Sequence, residues 1–228
     1  MGADKQRQSG RAGQTRVVVI DDHPMVREHL KQMLRSESDL CVCGEADTRT
    51  EGLEVVNATK PDLAIVDLSL KESHGLDLIK DLRTSYPGLQ ILVVSMHDES
   101  LYAERAIRAG ARGYITKQEA TKKILEAIRR VLAGDLYLSE SVTSKVLTKL
   151  MASQPSQRSP IETLTDRELQ VFRLIGLGHT TRQIADELGL DGKTVETYRS
   201  RIKEKLELKD ASDLLQRAIL WIHSGDML

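Results

Sequence analysis

The chain has only two cysteines among 228 residues, and aromatic residues make up 3% of it. Cys41 and Cys43 lie two apart in an apolar stretch, on one face of a predicted strand, where side chains cannot readily bridge each other. No further ligands stand at metal-site spacing around them, so they read as small packing residues in a reducing compartment. No run approaches the roughly 18 apolar residues of a membrane span, so no membrane partner is expected. Residues 1–15 are polar and lack the apolar segment of a signal peptide. The Met1-Gly2 start carries Gln6 where a myristoylation signal has Ser or Thr. A cytoplasmic protein with a disordered leader over residues 1–15 is expected. Charge of one sign is missing too: the net charge is -1, so any nucleic-acid surface must be local. What remains is a globular composition, 40% hydrophobic and 29% charged, with apolar material for two small cores.

From residue 16 to about 133, short apolar runs (17–20, 40–43, 63–66, 91–94, 113–115) alternate with amphipathic stretches such as 25–34, 76–82, 101–109 and 124–132. Strands alternating with helices predict βαβ units and a parallel sheet. Five units in this length fit an α/β, flavodoxin-like doubly wound sheet with strand order 2-1-3-4-5. Residues 139–151 read as a further helix capped by Ser139. Residues 152–163, with two prolines and several small polar residues, read as a flexible linker. The expected divisions are therefore a leader (1–15), an α/β domain (16–134), a linker helix and flexible linker (135–163), and a small all-α domain of four helices (164–228).

The last region has no strand pattern. Thr165-x-x-Glu168 is a capping box opening a helix that ends at Gly176 and Gly178. Thr180 to Gln183 starts a second helix stopped at Gly189. Asp191 can cap a third, to about Leu206, and Asp210 a fourth.

Polar residues fall where the predicted strands end. Asp21 and Asp22 follow the first, Asp67 the third, Ser95 the fourth, and Lys117 lies just past the fifth. In an open parallel sheet these ends converge on one crevice. Three carboxylates there need a cation, and hard oxygen ligands suit Mg²⁺. A hydroxyl and an ammonium beside them suit phosphoryl transfer, which depends on positioning and on neutralising phosphoryl oxygens. Asp67 is then the acceptor, with Ser95 and Lys117 clamping the oxygens. A lone Asp after a strand is ordinarily a turn residue or cap; five such groups gathered at four strand ends are not.

The motifs Asp21-Asp22-His23-Pro24, Val66-Asp67, Val94-Ser95 and Tyr114-Ile115-Thr116-Lys117 resemble the receiver domains of two-component response regulators, over residue 16 to about 133. The resemblance implies that Asp67 accepts a phosphoryl group from a sensor histidine kinase. It implies that Asp22 binds Mg²⁺ directly, that Asp21 does so through water, and that the carbonyl of Ser69 completes the protein ligands. Tyr114 matches the aromatic that swings inward when Ser95 moves toward the phosphoryl group. Such a protein is no enzyme beyond catalysing its own phosphorylation and dephosphorylation. Lys71 stands where the family often has proline, Gly75 is in its expected place, and Met96 is bulkier than usual after Ser95. Bulk at Met96 is expected to slow the water that dephosphorylates. His23, in the turn after Asp22, and His97 are expected in surface or packing roles, and His29, His74, His179 and His223 are scattered without metal spacing.

Leu164 to Glu168, Ile184 to Leu188 and Lys193 to Thr197 resemble the LuxR-type helix-turn-helix, and the two halves together resemble the NarL/FixJ response regulators. Between Lys193 and Lys209, six basic residues face three glutamates on a predicted helix. Such a helix suits the major groove. Val195, Ile202 and Leu206 are expected in the core. Glu196, Thr197 and Ser200 are assigned to base edges, and Lys193, Thr194, Arg199, Arg201 and Lys203 to the DNA backbone. Leu215, Ile219, Trp221 and Ile222 suit either an isologous homodimer contact on double-stranded DNA or closure of the small core. The family resemblance further implies that phosphorylation frees the recognition helix and promotes dimerisation. The alternative reading is a receiver that no longer switches and acts as a constitutive DNA- or protein-binding module.

Overall fold

The computed structural model of the chain describes residues 13–70, 73–140, 142–144 and 160–225. Its contacts divide the chain into two compact units, Met1–Met151 and Ala152–Leu228.

The first unit is a five-stranded parallel sheet flanked by helices. In chain order its elements are β1 (Thr15–Ile20), α1 (Pro24–Arg35), β2 (Leu40–Ala46), α2 (Arg49–Thr59), β3 (Leu63–Val66), β4 (Ser69–Leu70), β5 (Ser73–His74), α3 (Gly75–Ser85), β6 (Gln90–Ser95), α4 (Glu99–Ala109), β7 (Gly113–Thr116) and α5 (Lys117–Leu132). The sheet order is β2-β1-β3-β6-β7, with β4 and β5 forming a separate antiparallel pair. Counting only the sheet strands, this is the 2-1-3-4-5 order expected from the alternating pattern. Val17 to Ile20 and Leu63 to Val66 are buried throughout, as strands covered on both faces must be. One face packs Val17, Val19, Leu63, Ile65, Leu92 and Val94 against Leu30 and Leu34 of α1 and Ile124, Ile128 and Val131 of α5.

Three details differ from the sequence reading. β2 runs on to Ala46, and Val17 pairs with Val42 while Val18 pairs with Gly44, so Cys43 is the extra residue of a bulge. Plain alternation therefore does not relate the two cysteines; both are half-buried, and Cys43 Sγ donates to the Val17 carbonyl at 3.4 Å. Helix α2 was not among the named stretches, and its buried face is only Gly52 and Val56. Finally, residues 135–139 belong to the edge of the sheet, where a linker was expected to begin. Tyr137 bridges Gly113, donates to Arg112 O at 3.0 Å and accepts from Tyr114 N at 2.8 Å. Ser139 N donates to Glu99 Oε1 at 2.7 Å, tying the same segment to the start of α4.

Residues 142–144 are helical, and Ser139 Oγ accepts from Val142 N at 3.3 Å as a cap does. The rest of the predicted linker helix and linker up to residue 159, Lys71, and the leader up to residue 12 lie outside the described residues.

The second unit begins with a 3₁₀ turn (Pro160–Thr163), followed by α6 (Asp166–Gly176), α7 (Thr181–Leu188), α8 (Gly192–Lys205) and α9 (Ala211–Gly225). The predicted boundary signals act as expected. Thr165 and Thr180 each close a capping box, with Glu168 and Gln183. Gly189 ends α7 in the left-handed region, and Asp191 accepts from Thr194 N at 2.8 Å. Gly176 also has a packing role: a Cβ there would stand 2.6 Å from Ala218 O, so its absence lets α6 and α9 approach.

Candidate functional site

The sheet brings the first-unit candidates together. Asp21, Asp67 and Ser95 are all 2% exposed or less, and the Lys117 side chain is 7% exposed at the start of α5. Lys117 Nζ lies 2.7 Å from Asp67 Oδ2 and 2.7 Å from Asp21 Oδ2, bridging two carboxylates 46 residues apart. Burial opposes the lysine's charge, but Asp67 and Asp21 outweigh it and hold its pKa above the usual value. Burial, reinforced by repulsion from Asp67, pushes the Asp21 carboxyl up from its usual value, and contacts with Lys117 only partly offset this.

The cluster is short of positive charge and of donors. Three carboxylates and one ammonium leave two negative charges uncompensated. Asp67 Oδ1 is buried with no hydrogen-bond partner, while Oδ2 takes the lysine. Ligand atoms of Asp21, Asp22, His23 and Asp67 all lie within 4.8 Å of one another. Hard carboxylate oxygens with an uncommitted buried lone pair fit a divalent cation such as Mg²⁺.

Glycine at position 75 is required by this geometry. A Cβ there would lie 2.1 Å from the Asp67 carbonyl, so only glycine lets the N-terminus of α3 pass the loop that follows β3.

The histidines are closer to the site than the sequence reading placed them. His23 precedes Pro24 at the start of α1, and its Nδ1 lies 2.6 Å from Asp22 Oδ1 and 3.2 Å from Asp21 Oδ1. His97 is buried, packs on Tyr102 with ring centroids 4.6 Å apart, and its Nε2 meets Ser69 Oγ at 3.0 Å. His74 caps α3, its Nδ1 accepting from Leu76 N at 3.0 Å. The His23 and His74 contacts are local, whereas His97 and Ser69 lie 28 residues apart and no spacing along the chain links them.

Tyr114 is already inside. It is 1% exposed and its hydroxyl donates to His97 O at 2.9 Å. Burial pushes its phenol well above the ordinary range, so the group stays a donor. Met96, by contrast, is 62% exposed beside buried Ser95.

In the second unit, Val195 and Ile202 are buried and Leu206 half-buried, so α8 turns the expected face inward. Lys193, Glu196, Thr197, Ser200 and Arg201 are exposed. Thr181, Gly192, Lys193, Glu196, Thr197 and Ser200 line a shallow groove of about 630 Å³. Other residues of this helix are already engaged within the unit. Lys205 turns inward to the nearly buried Glu168 Oε2 at 2.6 Å, Arg199 is largely covered with Nε 3.6 Å from Glu196, and Thr194 bonds Asp191. Trp221 packs on Phe172, with centroids 5.4 Å apart, which favours core closure for that residue. Leu215, Ile219 and Leu220 remain exposed on α9.

A sheet of this order with an acidic pocket at its strand ends, joined to a four-helix unit with a polar groove on its third helix, defines a two-part regulator. The sequence comparisons agree. Residues 17–129 match the family described as response regulator receiver domain, and residues 162–218 match bacterial regulatory proteins of the luxR family. The chain is 35% identical over 205 residues to the response regulator GacA of Pseudomonas aeruginosa, covering 90% of this chain and 95% of that protein. It is 33% identical over 193 residues to the nitrate/nitrite response regulator protein homolog of Haemophilus influenzae, covering 85% and 90%. Among solved structures it resembles RcsB from Salmonella enterica serovar Typhimurium bound to a promoter in the presence of phosphomimetic BeF3-. That likeness has TM-score 0.55 and 26% identity, and covers 89% of this chain and 96% of that one. The chain belongs to the LuxR/NarL family of two-component response regulators, with a receiver domain followed by a LuxR-type helix-turn-helix domain. Neither matched family is one of enzymes.

Proposed function

We propose that the chain accepts a phosphoryl group on Asp67 from a sensor histidine kinase, and that this controls dimerisation and binding to double-stranded DNA. The observation that carries the reading is the divided environment of Asp67, with Lys117 on one oxygen and no donor on the other. The free oxygen attacks phosphorus in line, an oxygen–phosphorus bond forms, and the phosphorus–nitrogen bond of the kinase phosphohistidine breaks, leaving a protonated imidazole. Lys117 and Ser95 would donate to the phosphoryl oxygens. Asp21, Asp22, Asp67 and the Ser69 carbonyl would hold Mg²⁺, which when bound supplies positive charge against the incoming phosphoryl oxygens.

Ser95 and Tyr114 connect the pocket to the sheet edge, because the Tyr114 hydroxyl bonds His97 O and the Tyr114 amide bonds Tyr137 O. A change at Asp67 that draws Ser95 inward acts on this chain of contacts. On the output side, the exposed face of α8 enters the major groove. Glu196, Thr197 and Ser200 meet base edges, while Lys193, Arg201 and Lys203, with Thr194 and Arg199 beside them, face the phosphates. That a relative, RcsB, is seen bound to a promoter with a phosphomimetic, and as two dimers on two parallel DNAs, supports DNA binding by this unit. Leu215, Ile219 and Leu220 of α9 then form the isologous contact. Among the described residues, no helix is long and apolar enough to cross a membrane.

The test is intact mass after incubation with Mg²⁺ and phosphoramidate. The expected result is one added phosphoryl group in the wild type and none in Asp67→Asn or after chelation. A label that persists in Asp67→Asn would place the acceptor elsewhere.

A further inference from the structure

Glu196 is an unusual residue to find on a face meant for a polyanion. Its side chain is 60% exposed, on the same stripe of α8 as Lys193, Thr197 and Ser200, at spacings of three and four residues. It is nevertheless not loose. Thr181 Oγ1, from the first residue of α7, donates to Glu196 Oε1 at 2.7 Å. Arg199 Nε stands 3.6 Å from the same oxygen. The Thr181 hydrogen bond tethers the carboxylate within the groove, with the Arg199 guanidinium close beside it.

We infer that Thr181 and Glu196 form a reading unit spanning two helices that selects a cytosine at one position of the DNA site, with Glu196 as the reader and Thr181 as its positioning residue. The inference rests on the DNA-binding reading and gives it a base. A carboxylate next to phosphates is repelled, so on this face it must look at a base edge that offers a donor. The major groove has two such donors, cytosine N4 and adenine N6. Adenine sets the acceptor N7 beside its amino group, which repels the carboxylate; cytosine has no such neighbour on its own edge. Guanine and thymine present acceptors there and are rejected more strongly. The same carboxylate that weakens attraction to DNA in general thus discriminates among sequences.

The arrangement makes the two residues separable by experiment. The full-length chain, treated with phosphoramidate and Mg²⁺, is incubated with a pool of randomised DNA duplexes, and bound duplexes are sequenced over several rounds. The wild type is expected to enrich a site with one cytosine per half-site favoured about tenfold or more over each other base. Glu196→Gln should move that preference to adenine, because an amide matches the N6/N7 pair. Thr181→Val should flatten the preference at that position alone, and Thr181→Ser, which keeps the hydroxyl, should restore it. A merely structural role for Thr181 would lower enrichment at all positions together. If the wild type enriches a site that Glu196→Gln and Thr181→Val leave unchanged, the inference fails while DNA binding stands. If the wild type enriches no site at all, the DNA-binding reading fails and the inference falls with it.

Discussion

The two units treat buried charge in opposite ways. The receiver gathers Asp21, Asp22 and Asp67 around one lysine and leaves a buried carboxylate oxygen without a donor. Among its described residues, the DNA-binding unit pairs its buried carboxylate, Glu168, with a cation. Glu168 Oε2 takes Lys205 at 2.6 Å and the Thr165 amide at 2.7 Å. The receiver pocket is thus unfinished without a ligand carrying positive charge or replacing a carboxylate, whereas the Glu168 pair is complete in the folded chain. A site left unfinished in this way is stabilised by what binds it, which lets binding report on the rest of the fold.

The largest test of this contrast is Lys117→Met. Removing the one cation leaves Asp21 and Asp67 facing each other, and without metal the receiver should lose about 3 kcal/mol in urea unfolding. Divalent cation should recover more of that loss in the variant than it adds to the wild type. If metal gave no such recovery, the carboxylates would not be the charge that matters.

Glu168→Gln should cost the second unit about 2 kcal/mol, because a buried charge-assisted bond is lost. Burial raises the cost of the Glu168 charge, but Lys205 and the Thr165 amide hold its pKa below its usual 4.5. A carboxyl depressed on folding contributes stability that is full above its unfolded value and lost as pH falls through the folded one. Unfolding of this unit from pH 6 to pH 3 should therefore show a loss below about 4.5 that is absent in Glu168→Gln. An identical profile in both would remove the pair from the account.

Asp21→Asn should act in the other direction. Because burial and Asp67 raise the Asp21 pKa, its ionisation at neutral pH opposes folding, and the opposition disappears as the pH falls below its folded value. The variant should be more stable than wild type by about 1 kcal/mol at pH 7 without metal, and its melting temperature should respond less to Mg²⁺. Greater metal sensitivity in the variant would contradict this.

The smallest effect expected is at the rim. Met96 is 62% exposed, and trimming it in Met96→Ala should shorten the lifetime of the phosphorylated form by roughly threefold, about 0.6 kcal/mol in barrier. Mass spectrometry of the decaying label measures it, and an unchanged lifetime would show that water reaches Asp67 by another path.

Much of this was legible before any coordinates. Apolar runs buried on both faces gave five strands, and the residue after each run fell at the strand end because a parallel sheet aligns those ends. That is why Asp21, Asp67, Ser95 and Lys117 could be named together. The helix boundaries of the second unit were legible for a similar reason, since caps such as Thr165, Thr180, Asp191 and Gly189 act within three or four residues. Contacts made across the fold were not legible. Nothing local marks Lys205 as turning inward to Glu168, 37 residues away. Nor does any pattern mark Tyr137 as returning to the β7 edge, where two backbone hydrogen bonds hold it. The bulge at Cys43 is set by pairing with β1, and the weak apolar face of α2 hides it from a periodicity argument. His23 and His97 reached the pocket because the chain turns there.

The most direct test of the central claim joins the two units in one experiment. The full-length chain is offered a randomised duplex pool with and without phosphoramidate, in the wild type and in Asp67→Asn. The account predicts strong enrichment of a common site only in the treated wild type. Equal enrichment in the untreated wild type and in Asp67→Asn would show that the acidic pocket does not govern DNA binding.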